Sequence, residues 1–404
     1  MTVSWRATAL PVSILTIFTA HRGKVVKLIF KRLAVTCLAL GWIAATLAVV
    51  DWSAKNSLLV WVEHWSGDWR TAFLADREPT QHKKVAIVAV TEETLAPYPY
   101  RLPPDRKLLA RLITTLDGMG AKAIGIDFLM LRATEPEKDQ QLVEAIRTAK
   151  TPIVLAVADS RSELLQQERD YQTIFLRKSG ARPGYANLLR GDDRIVRYLA
   201  PPVADDGTFR RSFSGQLAAP KAEPLSEPRR IAWLLKPEDG SDTFVTLPAH
   251  LLAPPGLDGP APAATALAPL IKGRVIIVGS SLPDVDRHAT PLPDWEGEEH
   301  DGVFLQAQVV AQILDNRDIR RLPRETLLGV YGLLACLGLF FGLRYGTGAV
   351  TVYGSTALIA VAVIDTVLFA TIRQFLPFQA CVLAMVMGVT GGVIVHRFAR
   401  LISA

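Results

Sequence analysis

The chain has 404 residues, enough for two or three domains or for one large domain with membrane segments. Half of the residues are hydrophobic and 21% are charged, and the mean hydropathy of +0.23 excludes a wholly soluble chain with evenly spread apolar residues. The net charge of +6 gathers beside apolar runs, where anionic lipid accounts for it and nucleic acid is not needed.

Residues 1–32 form a basic N-terminal segment. Within it ALPVSILTIFTA (9–20) imitates the apolar centre of a signal peptide but is too short to span a bilayer. Arg22, Lys24, Lys27, Lys31 and Arg32 then precede the uncharged run LAVTCLALGWIAATLAVV, so 33–50 reads as an uncleaved signal-anchor, with a cleaved signal peptide as the alternative. Three more apolar runs close the chain at 327–343, 348–372 and 376–395, each near the ~20 residues that cross a bilayer core. Arg344 lies between the second and third runs, and Arg397 and Arg400 follow the fourth; only Arg373 falls in the remaining loop. That asymmetry expects both termini in the cytoplasm, 396–404 as a cytoplasmic tail, and residues 51–325 outside the membrane of a bacterial inner-membrane protein. The three cysteines, Cys37, Cys336 and Cys381, all lie in the apolar runs, so the exported region has no disulfide and no thiolate metal site.

After the first span, Trp61, Trp65, Trp69 and Phe73 recur every four residues and share one helix face. Such a face is expected against the domain core or in the membrane interface, and less readily around a ligand. VAIVAV (85–90) is a buried strand, and Asp105 caps a helix over 105–116 with Gly118 just past its end. Ala123–Leu129 is a second strand, 139–148 a helix opened by Asp139, and 153–158 a third strand. This alternation predicts a largely parallel sheet with right-handed crossovers. Residues 160–270 are less regular; GYANLL (184–189), RIVRYLA (194–200), RIAWLL (230–235) and TFVTL (243–247) read as added antiparallel strands. RVIIVGSS (274–281) is another buried strand, followed by a helix over 302–316. The fold class is therefore an α/β exported domain joined to four α-helical spans.

Ligands of open parallel sheets bind outside the carboxyl ends of the strands. Those ends carry Glu92, Asp127, Asp159, Ser280, Ser281, Asp284 and Asp286. Of these, Glu92, Asp127, Ser280, Ser281 and Asp286 are the ligand-binding candidates. Such a rim can hold a cation through hard oxygen ligands or meet a basic ligand. The plainer account is that its carboxylates cap turns or pair with Arg101, Arg106 and Arg287. Asp127 is the sharpest case, since an unpaired carboxylate inside an apolar strand costs several kcal/mol; Arg106 is its expected partner if it is an anchor. Asp365 stands inside the third apolar run, where a carboxylate is costly and therefore suspect. Gly338–Gly342 and Gly388–Gly392 each have the spacing that permits close helix packing.

The order of motifs resembles the CHASE2 family, an extracytoplasmic sensory domain of bacterial signalling proteins. It is carried by DWRTAFLADR (68–77), VAIVAVTEETL (85–95), RLPPDRKLLARLITTL (101–116), GAKAIGIDFLM (120–130), GYANLLRGDDRIVRYL (184–199), GRVIIVGSSLPDVDRHATPL (273–292) and DGVFLQAQVVAQIL (301–314). The resemblance implies one span before the domain and about three after it, and expects an Asp at position 127. Two places depart from the family pattern: Thr91-Glu92 stands where relatives have Asp-Glu, and Tyr98-Pro99-Tyr100 where they have a Trp-Pro-Trp-like turn. Relatives usually continue into a cyclase or kinase; only HRFARLISA follows the last span here, so the expected output partner is a separate cytoplasmic protein.

No HExxH, Walker-type loop or G-x-S-x-G elbow occurs, the seven histidines are scattered, and WEGEEHD (295–301) reads as a solvated loop. The expectation is a non-enzymatic membrane receptor without metal or cofactor, acting as a homo-oligomer or through a cytoplasmic signalling protein and sensing an unidentified extracytoplasmic ligand. A membrane scaffold is the alternative, and a metal-dependent hydrolase built on Glu92, Asp127 and Asp286 is a third reading.

Overall fold

The computed structural model describes residues 12–203, 209–257, 261–292, 299–345 and 347–402. The chain divides into two compact units, 1–67 with 321–404 and 68–320. It begins with a long helix, α1 (Val12–Ser53), followed by α2 (Ser57–Leu74).

The unit 68–320 is built on a six-stranded, wholly parallel sheet. Its elements follow as β1 (Val85–Val90), the one-turn α3 (Glu92–Leu95), α4 (Arg106–Gly118), β2 (Ala123–Ile126), α5 (Pro136–Thr148) and β3 (Ile153–Val157). Then come α6 (Gln166–Ser179), β4 (Arg182–Tyr185), β5 (Leu188–Arg190), β6 (Val196–Leu199), α7 (Phe213–Ala218) and β7 (Arg229–Arg230). The series ends with β8 (Val245–Pro248), α8 (Ala249–Leu252), α9 (Ala264–Ile271), β9 (Val275–Ser280), β10 (Arg287–His288), β11 (His300–Asp301) and α10 (Gly302–Leu314). The sheet order is β4-β3-β2-β9-β1-β8, and a small antiparallel sheet β5-β6-β7 stands beside it. Both faces of the sheet's centre are buried, which is why β1, β2, β3 and β9 are apolar at nearly every position rather than at every second one. Along β1, Ala86, Val88 and Val90 join the core under α4, α5 and α9, while Val85, Ile87 and Ala89 join the core under α7 and α10.

Several elements differ from the sequence reading. Strand β2 stops at Ile126, so Asp127 follows the strand instead of lying within it, although its N–H still bonds the Val278 carbonyl of β9 at 2.8 Å. Helix α5 begins at Pro136, not Asp139; Asp139 instead accepts hydrogen bonds from the N–H and hydroxyl of Thr134 at 2.9 and 2.8 Å. The expected cap Asp105 does hold α4, through Lys107 N and Leu108 N at 2.8 and 3.2 Å, and that helix runs through Gly118. Helix α6 was hidden by a polar sequence. Residues 184–185 and 245–247 extend the parallel sheet rather than the antiparallel one. Most of RIAWLL forms no strand, because glutamine side chains of α10 take its backbone groups. Gln308 bonds both the N–H and the carbonyl of Leu234 at 2.9 and 3.0 Å, and Gln312 bonds Ala232 N and the Arg230 carbonyl at 2.9 and 3.1 Å.

In the unit 1–67 with 321–404 the remaining helices are α11 (Arg324–Arg344), α12 (Thr347–Ile372) and α13 (Phe378–Leu401). Among the described residues four helical stretches are long and apolar enough to cross a bilayer: Ile29–Ser53, Arg324–Arg344, Val350–Ile372 and Phe378–Leu401. The two glycine pairs find each other: a Cβ on Gly338 would meet the Met385 carbonyl at 2.5 Å and Val389 N at 2.8 Å, and Gly392 lies against Leu339 and Gly342. Backbone thus meets backbone where α11 crosses α13. Asp365 is 3% exposed and accepts a hydrogen bond from Leu376 N at 3.3 Å, tying α12 to the turn before α13. The aromatic face of α2 is not packed on a core: Trp61, Trp65, Trp69 and Phe73 are each more than half exposed, with Trp69 stacked on Phe73 at 5.1 Å. The acidic residues 295–298 and the start of the signal-like segment at 9–11 lie outside the described residues.

Candidate functional site

The carboxyl ends of β2, β3 and β9 open into a cavity of about 720 Å³. Its floor is Asp127, just after β2, and Ser280, the last residue of β9. Arg161, Ser162 and Asn187 line it beyond β3, and Arg190 enters from β5. Asp286 and His288 close another side, and Gly302 and Gln306 of α10 the next. Leu102, Phe128, Leu129 and Val157 supply apolar wall.

Backbone geometry positions these groups. Asp286 has φ 55°, a left-handed conformation that Asp tolerates better than most residues and that places its carbonyl to accept from Gly302 N at 2.8 Å. Its carboxyl lies where a Cβ on residue 302 would stand, so glycine at the start of α10 is what admits it. His288 is 6% exposed and donates from Nε2 to Asp286 Oδ1 at 2.8 Å, while its Nδ1 accepts from Arg190 Nη2 at 2.9 Å. The tautomer follows from arginine being a donor only.

Asp127 is in a different state from the other acids. Burial first, then the neighbouring Asp286 carboxylate, push its carboxyl well above the ordinary carboxylate range. Ser280 is 6% exposed and its Oγ has no hydrogen-bond partner among the described residues. Other lining groups are occupied. Arg161 is held by Asp159 and donates to the Pro201 carbonyl at 3.0 Å. Asn187 bonds Ser162 Oγ at 2.9 Å and Asp159 N at 3.2 Å, and Gln306 bonds the Ala186 carbonyl at 3.2 Å.

The structure brings Asp127, Ser280 and Asp286 together and leaves the other candidates apart. Glu92 is in the first turn of α3, more than half exposed, and pairs with Arg101, which also holds Asp284 at 3.0 Å. Ser281 donates to Asp301 Oδ2 at 2.7 Å. Neither Glu92 nor Ser281 lines the cavity. Arg106 is not the partner of Asp127: it is fully buried beside Asp139 at 3.4 Å and touches Met130, and burial lowers its pKa despite that carboxylate. Arg190, Asn187 and His288 were missed as site residues because they come from the irregular segments 160–270 and 282–292, where no periodicity says which side chains converge.

Glu78, His82 and Asp315 also lie close enough together to offer metal ligands. There Asp315 already pairs with Lys84 at 2.7 Å and Arg317 at 3.5 Å and is hydrogen-bonded to His82 at 2.9 Å, so protein groups already surround the carboxylate. A larger cavity of about 830 Å³ lies between α4, α5 and α9, lined largely by alanine, threonine and the stems of Lys107 and Arg111. It lacks the converging Asp127, Asp286 and Ser280 of the strand-end cavity.

Comparison with protein families matches residues 39–343 to the CHASE2 domain. Neither the curated proteins nor the solved structures contain a match.

Proposed function

Since the chain belongs to the CHASE2 domain family, we propose that this membrane protein senses a small molecule in the strand-end cavity and relays its presence to a separate cytoplasmic protein. The observation that carries the reading is the cavity itself: some 720 Å³ at the place where open parallel sheets bind ligands, with a buried hydroxyl at its floor that has no partner among the described residues. In this reading both termini are cytoplasmic, residues 51–325 are outside, and Asp127, Ser280 and Asp286 contact the ligand. The relay requires that ligand favour one arrangement of the exported domain over another, since equal affinity for both shifts nothing.

The test is hydrogen exchange of the full chain in lipid nanodiscs, with and without the small-molecule fraction of a bacterial periplasm. Slower exchange is expected at residues 127–130, 158–162 and 280–288, with a change in at least one membrane helix. Unchanged exchange throughout would remove the sensor. The scaffold reading draws on the exposed aromatic face of α2; it predicts that substituting Trp69 and Phe73 abolishes co-purification of a partner while filling the cavity leaves it intact.

A further inference from the structure

The cavity has an imbalance that points to the charge of its occupant. Among the described residues the Asp127 carboxyl receives no hydrogen bond, and burial and Asp286 are what act on it. Ser280 Oγ is likewise unmet, and Asp286 spends one oxygen on His288 and has the other, Oδ2, unused. Of the two arginines at the wall, Arg161 is paired with Asp159, while Arg190 is exposed and donates one amino group to His288. A buried hydroxyl is ordinarily hydrogen-bonded, so Ser280 Oγ marks this floor as a place for a further polar group.

Resting on the sensor reading above, we propose that the cavity takes a small organic molecule by a primary ammonium group, which is held by Asp127, Asp286 and Ser280. An ammonium has three N–H donors and no acceptor, and the floor presents three oxygen-bearing groups with capacity to spare. The apolar wall of Leu102, Phe128, Leu129 and Val157 receives the carbon skeleton. A carboxylate or phosphate at the floor would face two acids, and the guanidinium with donors left for it, Arg190, stands at the wall, so carboxylates are the discriminating comparison. A hard divalent cation asks for six or more oxygens, and three side chains supply few of them.

Binding is linked to a proton. Below its raised pKa the Asp127 carboxyl holds a proton, and an ammonium that binds there displaces it. The groups facing Asp127 are Ser280 on β9, Asp286 and His288 around β10, Arg190 on β5, and Arg161 after β3 with its charge held by Asp159. An alkylammonium stays charged up to roughly pH 9. Affinity therefore rises with pH, about tenfold per unit, until Asp127 is ionised without ligand, and each binding event below that point releases up to one proton.

The experiment is titration calorimetry on the full chain in nanodiscs with small primary amines from putrescine to phenethylamine. Each is set against the alcohol and the carboxylate of the same skeleton, and runs are repeated in two buffers of different ionisation enthalpy. Amines are expected to bind, with proton release, and the alcohols and carboxylates are not. Asp127→Asn is expected to abolish the release and lower affinity at least about tenfold, and Ser280→Ala to lower affinity with the release intact. Binding of alcohols or carboxylates in preference to amines, or of Ca²⁺ or Mg²⁺ alone, would overturn the ammonium assignment and leave the sensor standing. If no amine binds and the periplasmic fraction also leaves exchange unchanged, both fall. Equal amine binding by wild type and Asp127→Asn would overturn the placement.

Discussion

Two clusters in the exported unit make opposite use of the same residue types. Around Arg197, which is 2% exposed, Asp68 accepts at 2.8 and 2.5 Å and Asp193 at 2.9 and 2.6 Å. Burial opposes that guanidinium, but its hydrogen bonds to Asp68 and Asp193 outweigh the loss and raise its pKa. Around Asp127 the acids face each other and a hydroxyl, and among the described residues nothing pairs with the central carboxyl. The first cluster is closed and contributes to holding β6 against α2. The second is open and faces a cavity. A paired buried charge marks structure, and a carboxyl left beside a second acid and an unmet hydroxyl marks a place that a ligand can complete.

Four substitutions break or sharpen that contrast. Arg197→Leu removes the shared partner of two carboxylates, leaving Asp68 only the more distant Arg230 at 3.8 Å, and is expected to destabilise the exported unit by about 3 kcal/mol in denaturant titrations; a change below about 1 kcal/mol would mean that the closed cluster is idle. In the membrane unit, where contact is as complete as around Arg197, Gly388→Leu drives a side chain into the Ala335 backbone. A loss of about 3 kcal/mol is expected, read as a lower unfolding midpoint in nanodiscs.

Asp127→Asn is expected to have the opposite sign. A carboxyl raised in the folded state contributes stability that is complete below its unfolded pKa, near 4, and is lost as pH rises toward its folded value. Relative to the wild type, the Asn variant therefore gains about 1.4 kcal/mol for each pH unit across that window and nothing below it. Melting curves from pH 4 to pH 8 would show a widening gap; a constant or reversed gap would place a partner on Asp127. The smallest effect belongs to Ser280→Ala, which removes a hydroxyl with no partner and is expected within about 0.5 kcal/mol of wild type without ligand. A loss above about 1 kcal/mol would show the hydroxyl to be satisfied after all.

Part of this was open to reading along the chain. The apolar runs, the alternation over 85–158 and the cap at Asp105 are local patterns, and local patterns report the period of a helix or strand. The acids at the strand ends were also visible, since a parallel sheet presents its carboxyl ends on one side. What stayed hidden depends on contacts across the chain. RIAWLL has a strand's composition, but its backbone is claimed by Gln308 and Gln312 about 74 and 82 residues away. The family resemblance expected an acid at 127 and was silent on its neighbours.

The sequence by itself determined that a membrane-anchored α/β domain forms and that Asp127 sits at the rim of its sheet, because hydrophobic period and strand order are written in consecutive residues. Only the tertiary structure decided that Asp127 meets Asp286 and Ser280 rather than Arg106, and that Glu92 stands aside with Arg101. Those outcomes turn on a left-handed bend at Asp286 and a missing side chain at Gly302, which bring residues some 160 positions apart to one cavity floor.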